Sequence, residues 1–140
     1  MTTLQALQAV LAGEHAAVYA YGVVGGRLAA DPGEAMARSG YDTHRQRRAA
    51  VTALIVAAGA QPVAAAAAYA LGAPASTPPQ ARELAAAVEQ RAAATYAGLV
   101  AVSSGAVRAT AAAWLADAAV RQAGWSGHAD TFPGLANPAT

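Results

Sequence analysis

Residues 3–30 read TLQALQAVLAGEHAAVYAYGVVGGRLAA. Positions Leu4, Leu7, Leu11, Glu14, Val18, Tyr21, Gly25 and Leu28 alternate spacings of three and four, the a/d stripe of an amphipathic helix. Thr2 or Thr3 supplies an N-cap, and Asp31-Pro32-Gly33 supplies the stop, so a helix is expected from about Thr3 to Ala30. A glutamate stands in the middle of its apolar seam. Burying a carboxylate is costly unless it is paired, protonated or bound to a cation, so Glu14 needs a partner.

The rest of the chain follows the same pattern. A second helix is expected from Pro32 or Glu34 to Ala58, closed by Gly59, with Ala37, Gly40 or Tyr41, His44, Arg47 or Arg48, Val51, Leu54 and Ala58 inward. Thr77 caps a third helix, with Pro78 at its first position, that runs to about Val102. Its stripe is Leu84, Val88, Thr95, Leu99 and Val102, flanked by Glu89 and Tyr96, which share a face. After Ser103-Ser104-Gly105, a fourth helix runs from Ala106 to Ala123 with Val107, Ala111, Trp114 and Ala118 inward, and Gly124 ends it. Between helices two and three lies Ala60 to Pro79, too long for a tight turn, in which Ala64 to Leu71 can form a short helix. The tail from residue 124 to 140 is expected to be irregular, held by Trp125, Phe132 and Leu135.

Two hairpins joined by one long crossover between helices 2 and 3 define an all-α, antiparallel four-helix bundle of the ferritin-like arrangement. The expected domain is single, residues 1–140, with the bundle over about 3–123. Composition agrees. Of 140 residues 45 are alanine, the best helix former, whereas strand formers are sparse. A chain of this length can bury roughly two-thirds of its unfolded surface.

The bulk chemistry mainly excludes. Nine Arg against eight Asp and Glu leave a net charge of +1, which argues against a nucleic-acid partner. With no cysteine there is no disulfide framework, thiolate metal site or cysteine nucleophile. The start MTTLQALQAV lacks a basic n-region and a cleavable apolar stretch, so no signal peptide is expected. The apolar stretch from Ala49 to Ala73 is mostly alanine and is broken by Gly59, Gln61 and Pro62, so no membrane span is expected. A cytoplasmic protein is the corresponding expectation.

The polar residues in the seams carry the functional question. Ferritin-like di-iron proteins use a Glu from each of two helices and a Glu-x-x-His pair from each of the other two. In this register the chain offers Glu14, Tyr41-Asp42-Thr43-His44, Glu89, and Asp117-Ala118-Ala119-Val120. Tyr41 stands at one bridging-carboxylate position and Val120 at one imidazole position, so two irons are not held in the usual way. The expected alternative is an internal ion-pair belt of Glu14, His44, Arg47, Arg48 and Glu89, with a guanidinium placed against Glu14 or Glu89. If a metal binds at all, iron or manganese on Glu14, His44, Glu89 and Asp117 is the candidate set.

The runs Glu14-His15-Ala16-Ala17-Val18-Tyr19-Ala20-Tyr21-Gly22, His44-Arg45-Gln46-Arg47-Arg48, Gly59-Ala60-Gln61-Pro62, Ala68-Tyr69, Val88-Glu89, Tyr96-Ala97-Gly98-Leu99-Val100 and Phe132-Pro133-Gly134-Leu135 carry a further signal. Together they resemble the actinobacterial ferritin-like domain family of unknown function, from about Leu4 to Leu135. The resemblance implies the ferritin-like bundle, with Glu14, His44, Arg48 and Glu89 in the family pattern, and it implies no established activity.

Other signals are weaker. His15 points about 100° away from Glu14 around the helix and reads as a boundary histidine. His128 reads as a solvated loop residue, and the tyrosines as fillers of the volume that alanine leaves. Ser103-Ser104 has no His and Asp at a recognisable spacing, so nucleophilic catalysis has no support. The expected protein is a non-catalytic bundle with no cofactor, acting through assembly or binding. A homodimer would cover its methyl-rich exterior. A small apolar ligand between tyrosine-bearing helices is a further expectation.

Overall fold

Two Thr-x-x-Gln capping boxes open the two helices at the centre of the molecule. Thr2 caps α1 (Thr3–Arg27) with Gln5, and Thr77 caps α3 (Pro78–Val102) with Gln80, with prolines at its first two positions. The structure, a computed structural model, describes residues 1–136. Its other helices are α2 (Glu34–Ala57) and α4 (Gly105–Ser126), and no strand is present among the described residues.

Cross-helix bonds give the topology. Thr3 near the start of α1 bonds to Val102 at the end of α3, and Arg82 near the start of α3 pairs with Asp31 just beyond α1. Helices α1 and α3 are therefore antiparallel neighbours. Helix α2 returns along α1 after a turn in which Asp31 Oδ1 accepts from the Gly33 N–H. Helix α4 returns along α3 after the Ser103-Ser104 turn. The order of directions is up, down, down, up, so the α2–α3 connection must climb the whole bundle, about 36 Å for a helix of this length. No helix among the described residues is long and apolar enough to cross a membrane.

The connection climbs without a helix of its own. Ala64 to Leu71 form no helix, bend at Ala67 and are largely exposed, contrary to the expected short helix. Alanine's propensity is not realised there, and side chains of α1 pin the strap's backbone on either side of the segment. Gln8 accepts from Val63 N–H and donates to Gln61 O, His15 Nε2 lies 3.1 Å from Val63 O, and Arg27 donates to Ala75 O. The Ala66 N–H donates to the Tyr69 hydroxyl, and the Tyr69 ring rests 5.8 Å from that of Tyr19.

Other boundaries move by a few residues. Helix α1 ends three residues before Ala30. Helix α4 passes through Gly124 and stops at Ser126, with Gly127 as the left-handed C-cap at φ 81°. Trp125 thus lies inside α4. Phe132 and Leu135 are exposed and do not hold the tail. Contact is made instead at Gly134, where a Cβ would lie 2.5 Å from Ala93 O and where φ is +78°. The last four residues of the expected tail and domain lie outside the described residues.

The core forms two apolar clusters, one above the other. The lower holds Leu7, Val10, Leu11, Val51, Ile55, Tyr96 and Leu99, and the upper holds Tyr21, Val24, Leu28, Ala37, Leu84 and Val88. Each buried methylene contributes about 0.8 kcal/mol, so alanine walls yield little burial energy per residue and their benefit is close backbone approach. Gly40 on α2 shows how close. A Cβ there would sit 2.3 Å from the Tyr21 ring. The sheet of space between the two clusters holds Glu14, His44 and Glu89, each at most 2% exposed.

Candidate functional site

Glu14, His44 and Glu89 come from the middle turns of α1, α2 and α3, and the imidazole lies between the two carboxylates. His44 Nδ1 is 2.7 Å from Glu14 Oε2, and its Nε2 is 3.2 Å from Glu89 Oε1. Both partners are acceptors when ionised, so the ring satisfies them only as an imidazolium with a proton on each nitrogen. Burial drags the histidine pKa down, but hydrogen bonds and charges from Glu14 and Glu89 outweigh it and push it up to about 9.

Each carboxylate is also capped by a tyrosine from the opposite helix. Tyr21 of α1 donates to Glu89 Oε1 of α3 at 2.6 Å, and Tyr96 of α3 donates to Glu14 Oε1 of α1. Glu14 and Tyr21 are seven apart, as are Glu89 and Tyr96. Two antiparallel helices with the same Glu-x6-Tyr spacing thus cross-bond reciprocally. Burial, then the neighbouring carboxylate, raises the pKa of each phenol above its ordinary value, so both stay protonated donors. Tyr21 in turn accepts from Trp125 Nε1 at 2.9 Å, and its ring stacks on His44 with centroids 5.3 Å apart.

On the Tyr96 side the chain of bonds continues to the surface. Arg47 donates to the Tyr96 hydroxyl at 3.3 Å and to Asp117 Oδ2 at 2.5 Å, with its guanidinium over the rings of Tyr96 and Trp114. Burial opposes the charge on Arg47, yet Tyr96 and Asp117 leave its pKa raised. Arg121 bonds Asp117 at 2.9 Å and Thr43 at 2.8 Å. Burial would raise the Asp117 pKa, but Arg121 and then Arg47 hold it below its ordinary value. The run Trp125, Tyr21, Glu89, His44, Glu14, Tyr96, Arg47, Asp117, Arg121 draws on all four helices. Its three acids balance its three bases when His44 is charged. Glu89 Oε2 is buried and has no hydrogen-bond partner among the described residues.

The structure places the residues of the expected belt differently from the expected arginine–glutamate pairing. Glu14, His44, Arg47 and Glu89 are buried, but no arginine touches either glutamate, because the histidine occupies the space between them. Arg48 is half-buried, and its side chain makes no hydrogen bond or ion pair among the described residues. Asp117 is 42% exposed and is separated from Glu14 by Arg47 and Tyr96. Val120 is 72% exposed, so the α4 register assumed for a Glu-x-x-His position faces solvent. Among the described residues no group of three or more His, Asp or Glu side chains is arranged to hold a metal ion. The tyrosine caps and Trp125 escaped the sequence reading, which took the tyrosines as volume fillers. The repeated seven-residue Glu-to-Tyr spacing was the signal that identifies them.

This four-helix bundle with a carboxylate–imidazole–carboxylate core has relatives. Residues 6–137 match the family described as a domain of unknown function (DUF4439), and the chain belongs to that family. It is similar to the crystal structure of a conserved hypothetical protein, rv2844, from Mycobacterium tuberculosis. The two share 31% identity and a TM-score of 0.84, over 89% of this chain and 95% of that one. No curated protein matches the chain.

Proposed function

We propose that the chain is a non-catalytic bundle of the ferritin-like kind, in which the Glu14–His44–Glu89 relay takes the place of a di-iron centre. The up, down, down, up path with one long crossover supports the ferritin-like part of this reading. The donor set supports the rest. A di-iron centre needs a carboxylate where α2 has Tyr41 and an imidazole on α4, where Val120 points outward. The residues present do not fit that centre.

One observation carries the proposal: both ring nitrogens of His44 face carboxylates that are themselves capped by tyrosine hydroxyls. A cation entering this site would have to displace an imidazolium and unbalance a network of equal opposite charges. The relay then acts as a register device, holding three alanine-rich helices at one depth, a use attested for buried polar groups. Function follows from binding or assembly on that frame, with a homodimer as the assembly that would cover exposed apolar side chains such as Val56 and Val120.

Elemental analysis of purified protein, with thermal melts in Fe(II) and in Mn(II), tests the proposal. Substoichiometric metal and an unchanged Tm are expected. Near-stoichiometric iron or manganese that is lost in Glu14→Ala, with a Tm raised by added metal in the unaltered chain, would instead make this a metal-binding protein.

A further inference from the structure

We infer that the cleft between α1, α3 and the non-helical strap joining α2 to α3 is a binding site for a small apolar carboxylate. Its volume is about 350 Å³, within the range of about 300–1,000 Å³ typical of small-molecule sites. Walls of Ala17, Ala20, Val88 and Ala92 give it an apolar interior, and Tyr69 and Leu71 of the strap roof it.

Charge selects the class of ligand. Glu14 reaches the floor, but Tyr96 and the His44 imidazolium already hold its two oxygens, so it offers no open demand for a cation. Arg91 is the other charged lining residue, and among the described residues its guanidinium makes no ion pair or hydrogen bond. It is exposed, as a residue at a cleft's mouth is. An apolar body therefore fits inward along the alanines, with an anionic head outward at Arg91. The roof belongs to the connection that forms no helix, although five successive alanines, Ala64 to Ala68, lead into it. A ligand gives that strap apolar contacts to close upon.

Octanoate, titrated into the full chain and followed by amide chemical shifts and by Tm, tests this inference, with octylamine as the charge-reversed probe. Saturable shifts at Ala17, Ala20, Leu71 and Ala92 and a raised Tm are expected with octanoate, and much weaker binding with octylamine. Arg91→Gln should weaken octanoate by about fivefold, the scale of one exposed charge pair. Ala16→Leu, a half-buried lining position compatible with the helix, should abolish binding while the melt stays cooperative. Equal binding of the two probes, shifts scattered over the surface, or octanoate affinity unchanged in both variants would overturn the proposal. Metal analysis and octanoate titration read different places in the bundle, so this inference and the metal-free relay can fail separately.

Discussion

The α1/α3 seam and the α2/α4 seam carry the same kinds of group at different depths. Between α1 and α3, two tyrosines and two glutamates cross-bond in complete burial, and the histidine of α2 closes the pair. Between α2 and α4, contact depends on long side chains. Arg47 and Arg121 converge on the partly exposed Asp117 beside an open cleft lined by Thr43, Gln46 and Trp114. The first seam cannot lose a member without stranding a charge away from water. The second can, because solvent replaces whatever is removed. Depth, rather than the number of bonds, separates the two networks, because water can replace a lost partner only in the shallow one.

The largest expected effect comes from breaking the deep seam at its centre. His44→Ala leaves two buried carboxylates facing each other, and urea denaturation should show a loss of about 3–5 kcal/mol or no cooperative fold. Next is pH. The folded pKa of His44, about 9, lies above its unfolded value of 6.5, so the stabilisation is complete below pH 6.5 and is lost as pH rises through about 9. The unfolding free energy from urea denaturation should be lower at pH 9 than at pH 6, by on the order of 3 kcal/mol for a shift of this size. Tyr21→Phe removes one donor from Glu89 and the acceptor of Trp125 while keeping the ring over His44, and should cost about 1–3 kcal/mol. Arg121→Ala, in the shallow seam, should cost under about 1 kcal/mol and shrink further in salt. A loss there equal to that of Tyr21→Phe would erase the contrast between the seams.

Helical spacing made the four helices readable in advance and put Glu14 and His44 on inward stripes, but it left Arg47 and Arg48 as alternatives. Apolar stripes report which face turns inward, and a charged residue on such a stripe announces that it needs a partner. Which partner is a matter of three-dimensional reach. Arg47 lies one turn from His44 and could have met either glutamate, but the histidine fills that gap and sends the guanidinium to Asp117. Arg48, adjacent in sequence, faces away from the core enough to take no part. The strap shows the opposite failure. Alanine propensity favours a helix from Ala64 to Leu71, yet the segment is non-helical, and Gln8, His15 and Arg27 pin the strap on either side of it, at Gln61, Val63 and Ala75. The tyrosine caps had a visible signature in their spacing, but a hydroxyl's partner lies across the bundle, where periodicity along one helix does not reach.

His44 stands as an imidazolium between two glutamates. Nitrogen-15 NMR of the imidazole across pH 6 to pH 10 reads this directly. Both ring nitrogens should carry protons at pH 7.5, with a single titration near pH 9. A neutral ring with one N–H at pH 7.5, titrating near its ordinary 6.5, would contradict the account.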